Sequence, residues 1–216
     1  MHPATLRENA LSLIESGNYT DGAYMLFQAW DRGDYQTNQY FLNKAIIKSP
    51  PLSQEIIREL DSFSLALCYL LGLGVKKSDI EAEKIFLSLS EKNHAASKTL
   101  LAWMYLKGRA GLDLANQTVR NNKAVELFQK AADSGEISAQ SYLAFMYENG
   151  LAGLDLVNQA ARDVIAVDLY QKASEVQNAY VYANLGKLYL KGRAGLGLVN
   201  QEARDIVAVK LYQNAV

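Results

Sequence analysis

The sequence predicts an all-α protein, a right-handed superhelix of antiparallel helix pairs, and three observations carry that reading. No proline occurs after Pro51, so the rest of the chain has no residue that removes a backbone donor and clashes with the preceding helical turn. A motif recurs every 42 residues: Tyr105, Tyr147 and Tyr189 keep that spacing, as do Gly108, Gly150 and Gly192. Residues 151–173 match residues 193–215 at 16 of 23 positions. Spacing of this length marks stacked repeats, each too small to bury its own apolar face.

Each copy divides into two helical patterns. The first reads Leu101-Ala102-x-x-Tyr105, Leu143-Ala144-x-x-Tyr147 and Leu185-Gly186-x-x-Tyr189, a small residue beside a large aromatic at helical spacing. Small residues there let a neighbouring helix approach closely. After a glycine-containing turn, the second helix is expected to open at Asp79, Asn121, Asp163 or Asp205, whose short side chains can accept from free backbone amides. Ala82, Ala124, Ala166 and Ala208 follow, then Phe86, Phe128, Tyr170 and Tyr212, an amphipathic stripe. Asn93 and Gly135 stand where a helix ends in the left-handed conformation, and Gln177 is a poorer stop at the same place. A shorter first copy aligns Tyr69, Gly72, Ala82 and Phe86 with Tyr105, Gly108, Ala124 and Phe128 across a six-residue insertion.

These residues resemble the Sel-1-like repeat (SLR) family, relatives of the tetratricopeptide repeat. Leu65, Tyr69, Gly72, Gly74 and Val75 fit its turn, Lys130-Ala131-Ala132 and Lys172-Ala173 fit its end, and Ala66, Ala102 and Ala144 replace a family glycine. The likeness runs from about Ser62 to Val216. It divides the chain into a divergent helical cap at 1–60 and one continuous solenoid at 61–216, with repeats at about 61–96, 97–138, 139–180 and 181–216.

In the first sixty residues, helices are expected near 4–16, 20–32 and 36–48, separated by turns at Gly17-Asn18-Tyr19 and Gly33-Asp34-Tyr35. Pro50-Pro51 forces a break, and Ser53 can cap a further helix.

Composition narrows the function. Half the residues are hydrophobic, 21% are charged and the formal net charge is -1, so no general attraction to nucleic acid or anionic membrane is expected. No export signal or membrane-spanning run is read, and the expected location is cytoplasmic. One cysteine, Cys68, and two histidines, His2 and His94, predict no metal site. Cys68, inside a first helix, is read as a small core residue, and His94 as a turn residue. Gly108 with Gly111 lacks the lysine and hydroxyl of a phosphate-binding loop. Leu112, Leu114, Leu154, Leu156, Leu196 and Leu198 are expected to tuck the long loops onto their own repeats. Asp113 with Asn116, and Asp155 with Asn158, lack the alternating oxygens of a calcium loop and are read as bonding to loop backbone. No catalytic residue and no cofactor are predicted.

Away from the Leu-Ala-Tyr stripe, the first helices point Thr99, Trp103 and Lys107, then Ser141, Phe145, Glu148 and Asn149, then Lys187 and Lys191, toward the side that lines the concave surface in tetratricopeptide-like stacks. These are the candidate partner-binding residues, with Trp103 and Phe145 as aromatic anchors; the competing reading packs both aromatics beneath a neighbouring helix. The predicted function is a non-enzymatic scaffold or adaptor that binds another protein, of unknown identity, on that face. The family resemblance implies the same, and also allows a bacterial effector delivered to a host cell and engaging host proteins. A hydrolase or ligand-binding role is the least favoured alternative, because the paired cysteines of the relatives it rests on are missing. Self-assembly is the other alternative, through a C-terminal end where Val209 and Leu211 are expected to lie exposed.

Overall fold

A computed structural model describes residues 1–33, 35–41, 47, 49, 51–110, 116–151, 158–174, 178–193 and 200–214. Among these there are twelve helices and no strand: α1 (Pro3–Glu15), α2 (Tyr19–Asp31), α3 (Tyr35–Phe41), α4 (Gln54–Glu59), α5 (Ser62–Leu71), α6 (Asp79–Glu91), α7 (Ala95–Leu106), α8 (Gln117–Ala132), α9 (Ile137–Glu148), α10 (Gln159–Ala173), α11 (Ala179–Leu190) and α12 (Gln201–Asn214). The all-α expectation holds. The chain divides into two compact units, Met1–Met104 and Tyr105–Val216.

In the first unit α1 packs on α2, α2 on α3 and α5, and α5 on α6. Leu6, Ala10 and Ile14 place the apolar face of α1 inward, and Gly22 on α2 lets the two backbones close in, since a Cβ there would lie 2.6 Å from the Ile14 side chain. Ser53 caps α4 as expected, its Oγ accepting from the Ile56 amide at 3.3 Å. Leu60 is extended, and Asp61 Oδ1 then accepts from the Phe63 and Ser64 amides, so α4 and α5 are separate helices. Gly72 ends α5 in the left-handed region at φ 76°, and Asn93, with φ 63°, serves the same purpose after α6. The expected helix at 36–48 is seen as far as Phe41, and most of its remainder lies outside the described residues.

In the second unit α8 packs on α9, α9 on α10, α10 on α11 and α11 on α12. Leu143, Ala144, Leu185 and Gly186 of the first-helix stripes are buried. Gly186 stands where the other copies carry alanine, and a Cβ there would sit 3.2 Å from the Tyr212 ring. Ala124, Ala166, Ala208, Phe128 and Tyr170 are fully buried; each large ring withdrawn from water contributes about 1.5–3 kcal/mol.

The helix starts correct one expectation. Asp79, Asn121, Asp163 and Asp205 are not the caps; all four lie inside their helices. Ser78 caps α6, while Asn116, Asn158 and Asn200 accept from the Val119, Ala161 and Ala203 amides, so the longer copies begin their second helix a turn earlier. The neighbouring glutamine completes the start. Gln159 Nε2 donates to Asp163 Oδ1 at 2.7 Å and to the Glu148 carbonyl at 3.1 Å, and Gln117 makes the same bonds to Asn121 and to the Tyr105 and Leu106 carbonyls. In the short copy the Ser78 backbone amide satisfies the corresponding Tyr69 carbonyl directly, at 3.0 Å. Gly111, Leu112, Asp113 and Leu114, with Leu154, Asp155, Leu156, Gln177, Leu196 and Leu198, fall outside the described residues.

Candidate functional site

The candidate face divides between the two units. In the first, Thr99 is buried and its hydroxyl donates to the Ala95 carbonyl at 3.2 Å. Trp103 is also fully buried: its ring stands edge-on to Trp30, 6.1 Å between centroids, and to Phe41 at 6.0 Å, while Trp30 and Phe41 stack on each other at 5.1 Å. Of the two readings given for Trp103, the one that packs it beneath neighbouring helices holds, and the exposed docking anchor does not. Trp30 and Phe41, from helices outside the recognised repeats, supply a partner cluster that the repeat pattern does not reveal, and aromatic contact there outweighs exposure.

In the second unit the face is mixed. Ser141 is buried, its hydroxyl donating to the Ser138 carbonyl. Phe145 is half-buried, Asn149 is exposed with its side-chain amide donating to the Phe145 carbonyl at 2.7 Å, and Lys107 and Lys191 are exposed. Next to Phe145, an aromatic ladder that the sequence reading missed runs from Phe128 to Tyr142, stacked at 5.3 Å, and on to Tyr180 at 6.1 Å.

Glu148 is not an exposed contact but the centre of a buried charge cluster. Its side chain is 1% exposed and pairs with Lys187 Nζ at 3.1 Å; the Arg193 guanidinium lies at 3.9 Å, and the Tyr170 hydroxyl donates to its Oε2 at 3.4 Å. Arg193 also grips Asp163, Nη2 at 2.6 Å and Nε at 3.0 Å, and donates to the Glu148 carbonyl at 2.9 Å. Two carboxylates thus meet two cations, which is what keeps ionised groups tolerable at this depth. The Asp163 bond holds the Arg193 guanidinium above its ordinary pKa, and burial raises the Tyr170 hydroxyl, with Tyr180 and the Glu148 carboxylate adding to the effect. Arg193 and Asp163 were missed as site residues. One signal was present in the sequence: Glu148 stands where Leu106 and Leu190 occupy the same place in the adjoining copies.

Cys68 and His94 have structural surroundings. Cys68 is buried, and burial pushes its thiol up to about 12, with Asp61 adding to the shift. His94 Nδ1 sits 2.8 Å from Ser97 Oγ and accepts from the Ser97 amide, which places the ring at the start of α7 as a cap. Among the described residues no group of three or more His, Cys, Asp or Glu is placed to hold a metal ion, and no helix is long and apolar enough to cross a membrane.

The Sel1 repeat pattern matches residues 62–94, 95–136, 137–177 and 179–216. A Sel1 repeat protein from Oxalobacter formigenes, known from its crystal structure, is similar in fold at TM-score 0.54 and 18% identity, over 99% of this chain and 72% of that one. A protective antigen present in uropathogenic Escherichia coli strains and displaying an SLR fold aligns at TM-score 0.45 and 18% identity, over 99% of this chain and 53% of that one, so this chain spans about half its length. No curated protein matches. Sel1 repeats generally serve as non-catalytic interaction scaffolds. With four matched repeats over most of its length, the chain belongs to the Sel1 repeat family.

Proposed function

We propose that this chain is a non-enzymatic scaffold that binds a protein partner on the first-helix face of its second unit. The observation that supports this reading is the set of side chains left to solvent there: half-buried Phe145 beside exposed Asn149 on α9, and partly exposed Lys187 with exposed Lys191 one repeat on. An apolar ring surrounded by polar and cationic groups is the composition of an interface centre with its rim. Tyr142 and Tyr180 widen the apolar part without adding a charge.

Affinity capture with the wild-type chain and with Phe145→Ala/Lys191→Glu as baits tests the proposal. A partner retained by the first and lost from the second, with both baits melting at similar temperatures, supports it. Equal capture by both baits moves the binding surface elsewhere, and turnover in a broad ester and amide panel overturns the non-enzymatic reading.

A further inference from the structure

Two contacts join α9 and α11 directly and fix how these first helices lie. The Tyr142 and Tyr180 rings meet at 6.1 Å between centroids, and further along both helices Glu148 takes Lys187 Nζ at 3.1 Å. The two helices therefore run side by side in the same direction, with an aromatic pair at one end of the groove between them and an ion pair at the other, roughly 10 Å away by helical rise. Phe145, one turn after Tyr142, lies half-buried between the two ends, and Lys191, one turn after Lys187, is exposed. Charge along this groove has one sign. Residues 137–151 and 178–193 contain a single carboxylate, Glu148, against Lys187, Lys191 and Arg193. The Glu148 side chain is 1% exposed and that of Lys187 42%, so along these two segments ammonium groups reach water and no carboxylate does.

We propose that this groove takes an extended acidic segment of the partner protein, with an apolar side chain against Tyr142, Phe145 and Tyr180 and carboxylates about three residues away, over Lys187 and Lys191. The inference rests on the first-helix face being the binding surface, and adds the chemistry of what binds there. A neutral segment would cover two ammonium groups without a counter-charge, and a basic one would be repelled; carboxylates compensate the water that is lost. Lys187 is suited to this because the carboxylate beneath it already holds its long side chain in place, so less freedom is lost on binding. Glu148 is also served by the Arg193 guanidinium and the Tyr170 hydroxyl, which leaves donors of the Lys187 ammonium for an incoming carboxylate. A nucleic acid is the less favoured polyanion, since the chain as a whole carries a formal net charge of -1.

The probe is a fluorescein-labelled, amidated peptide, Gly-Ser-Leu-Ser-Gly-Glu-Glu-Ser-Gly, whose binding to the full chain is followed by fluorescence anisotropy. Saturable binding is expected, falling as salt is raised and weakened at least about tenfold when both glutamates become glutamine or the leucine becomes serine. In the chain, Lys191→Glu and Phe145→Ala are each expected to weaken it several-fold while the melting temperature stays close to that of the unaltered protein, since neither removes a member of the buried ion pairs. Absence of saturable binding up to about millimolar peptide, equal binding of the glutamine peptide, indifference to both chain variants, or tighter binding of a labelled single-stranded oligonucleotide overturns the proposal. Failure here is distinct from failure of the scaffold reading. A captured partner that Phe145→Ala/Lys191→Glu loses, with no acidic peptide bound, keeps the face and rejects the acidic segment, whereas a partner that this variant retains rejects the face itself.

Discussion

Arg193 holds Asp163, thirty residues upstream, through two hydrogen bonds of 2.6 and 3.0 Å, and with the same guanidinium reaches the carbonyl at the end of α9. One side chain past α11 therefore ties down both helices of the preceding pair. Asp163→Ala leaves that guanidinium without its carboxylate in a half-buried place and is expected to lower stability by about 3 kcal/mol, measured by urea unfolding. Glu148→Leu, which installs the residue found at positions 106 and 190, is expected to change stability by less than about 1.5 kcal/mol, because well-packed apolar atoms replace a buried charge whose cations can reach water.

Trp103→Ala removes the ring that Trp30 and Phe41 pack against, and a loss of about 3–5 kcal/mol is expected, read as a large fall in melting temperature. Phe145→Ala, at a half-buried position, is expected to cost much less in the same measurement.

His94 contributes a pH dependence of its own. Burial holds its pKa below the ordinary value, with Asp61 opposing in part, so the unfolded chain binds a proton more readily than the folded one. The stability this contributes is complete above the unfolded pKa, near 6.5, and is lost as pH falls through the folded value. His94→Asn keeps a capping acceptor at the start of α7 and is expected to flatten the decline in melting temperature between about pH 7 and pH 5.

Cys68 is expected to resist an aromatic disulfide reagent at pH 8 in the native protein and to react at once in denaturant, since burial holds the thiol protonated up to about 12. Native reactivity comparable to that of free cysteine would contradict the buried placement.

Gly150→Ala is expected to cost about 1–2 kcal/mol by thermal unfolding. The position has φ 60°, and an added Cβ would lie 3.2 Å from the Arg162 guanidinium, so backbone and neighbour both object.

The helix pairs were legible because their signals are local. Leucine followed by a small residue, with tyrosine one turn on, marks the inward stripes of α7, α9 and α11, and the left-handed stop at Asn93 was read from residue type alone. The second-helix caps were misplaced because an aspartate near a helix start is an equally good acceptor one turn too late; Asn116-Gln117 and Asn158-Gln159 were visible as a shared string, but their paired bonds become apparent only in three dimensions. For a related reason the sequence left Trp103 open between exposure and burial: its ring neighbours come from α2 and α3, which lie outside the matched repeats. Charges at the Glu148 cluster meet across 30 to 45 residues of chain, and no periodicity of one helix can report such a meeting.

The glutamine at the start of each longer second helix bears on the spacer before it. In the short copy a backbone amide closes onto the end of the first helix, whereas Gln117 and Gln159 do so by side chain from within the next helix. Each of these bonds joins the second helix directly to the end of the first, so inserting residues between Gly108 and Asn116 or between Gly150 and Asn158 is expected to leave the helix pair in place.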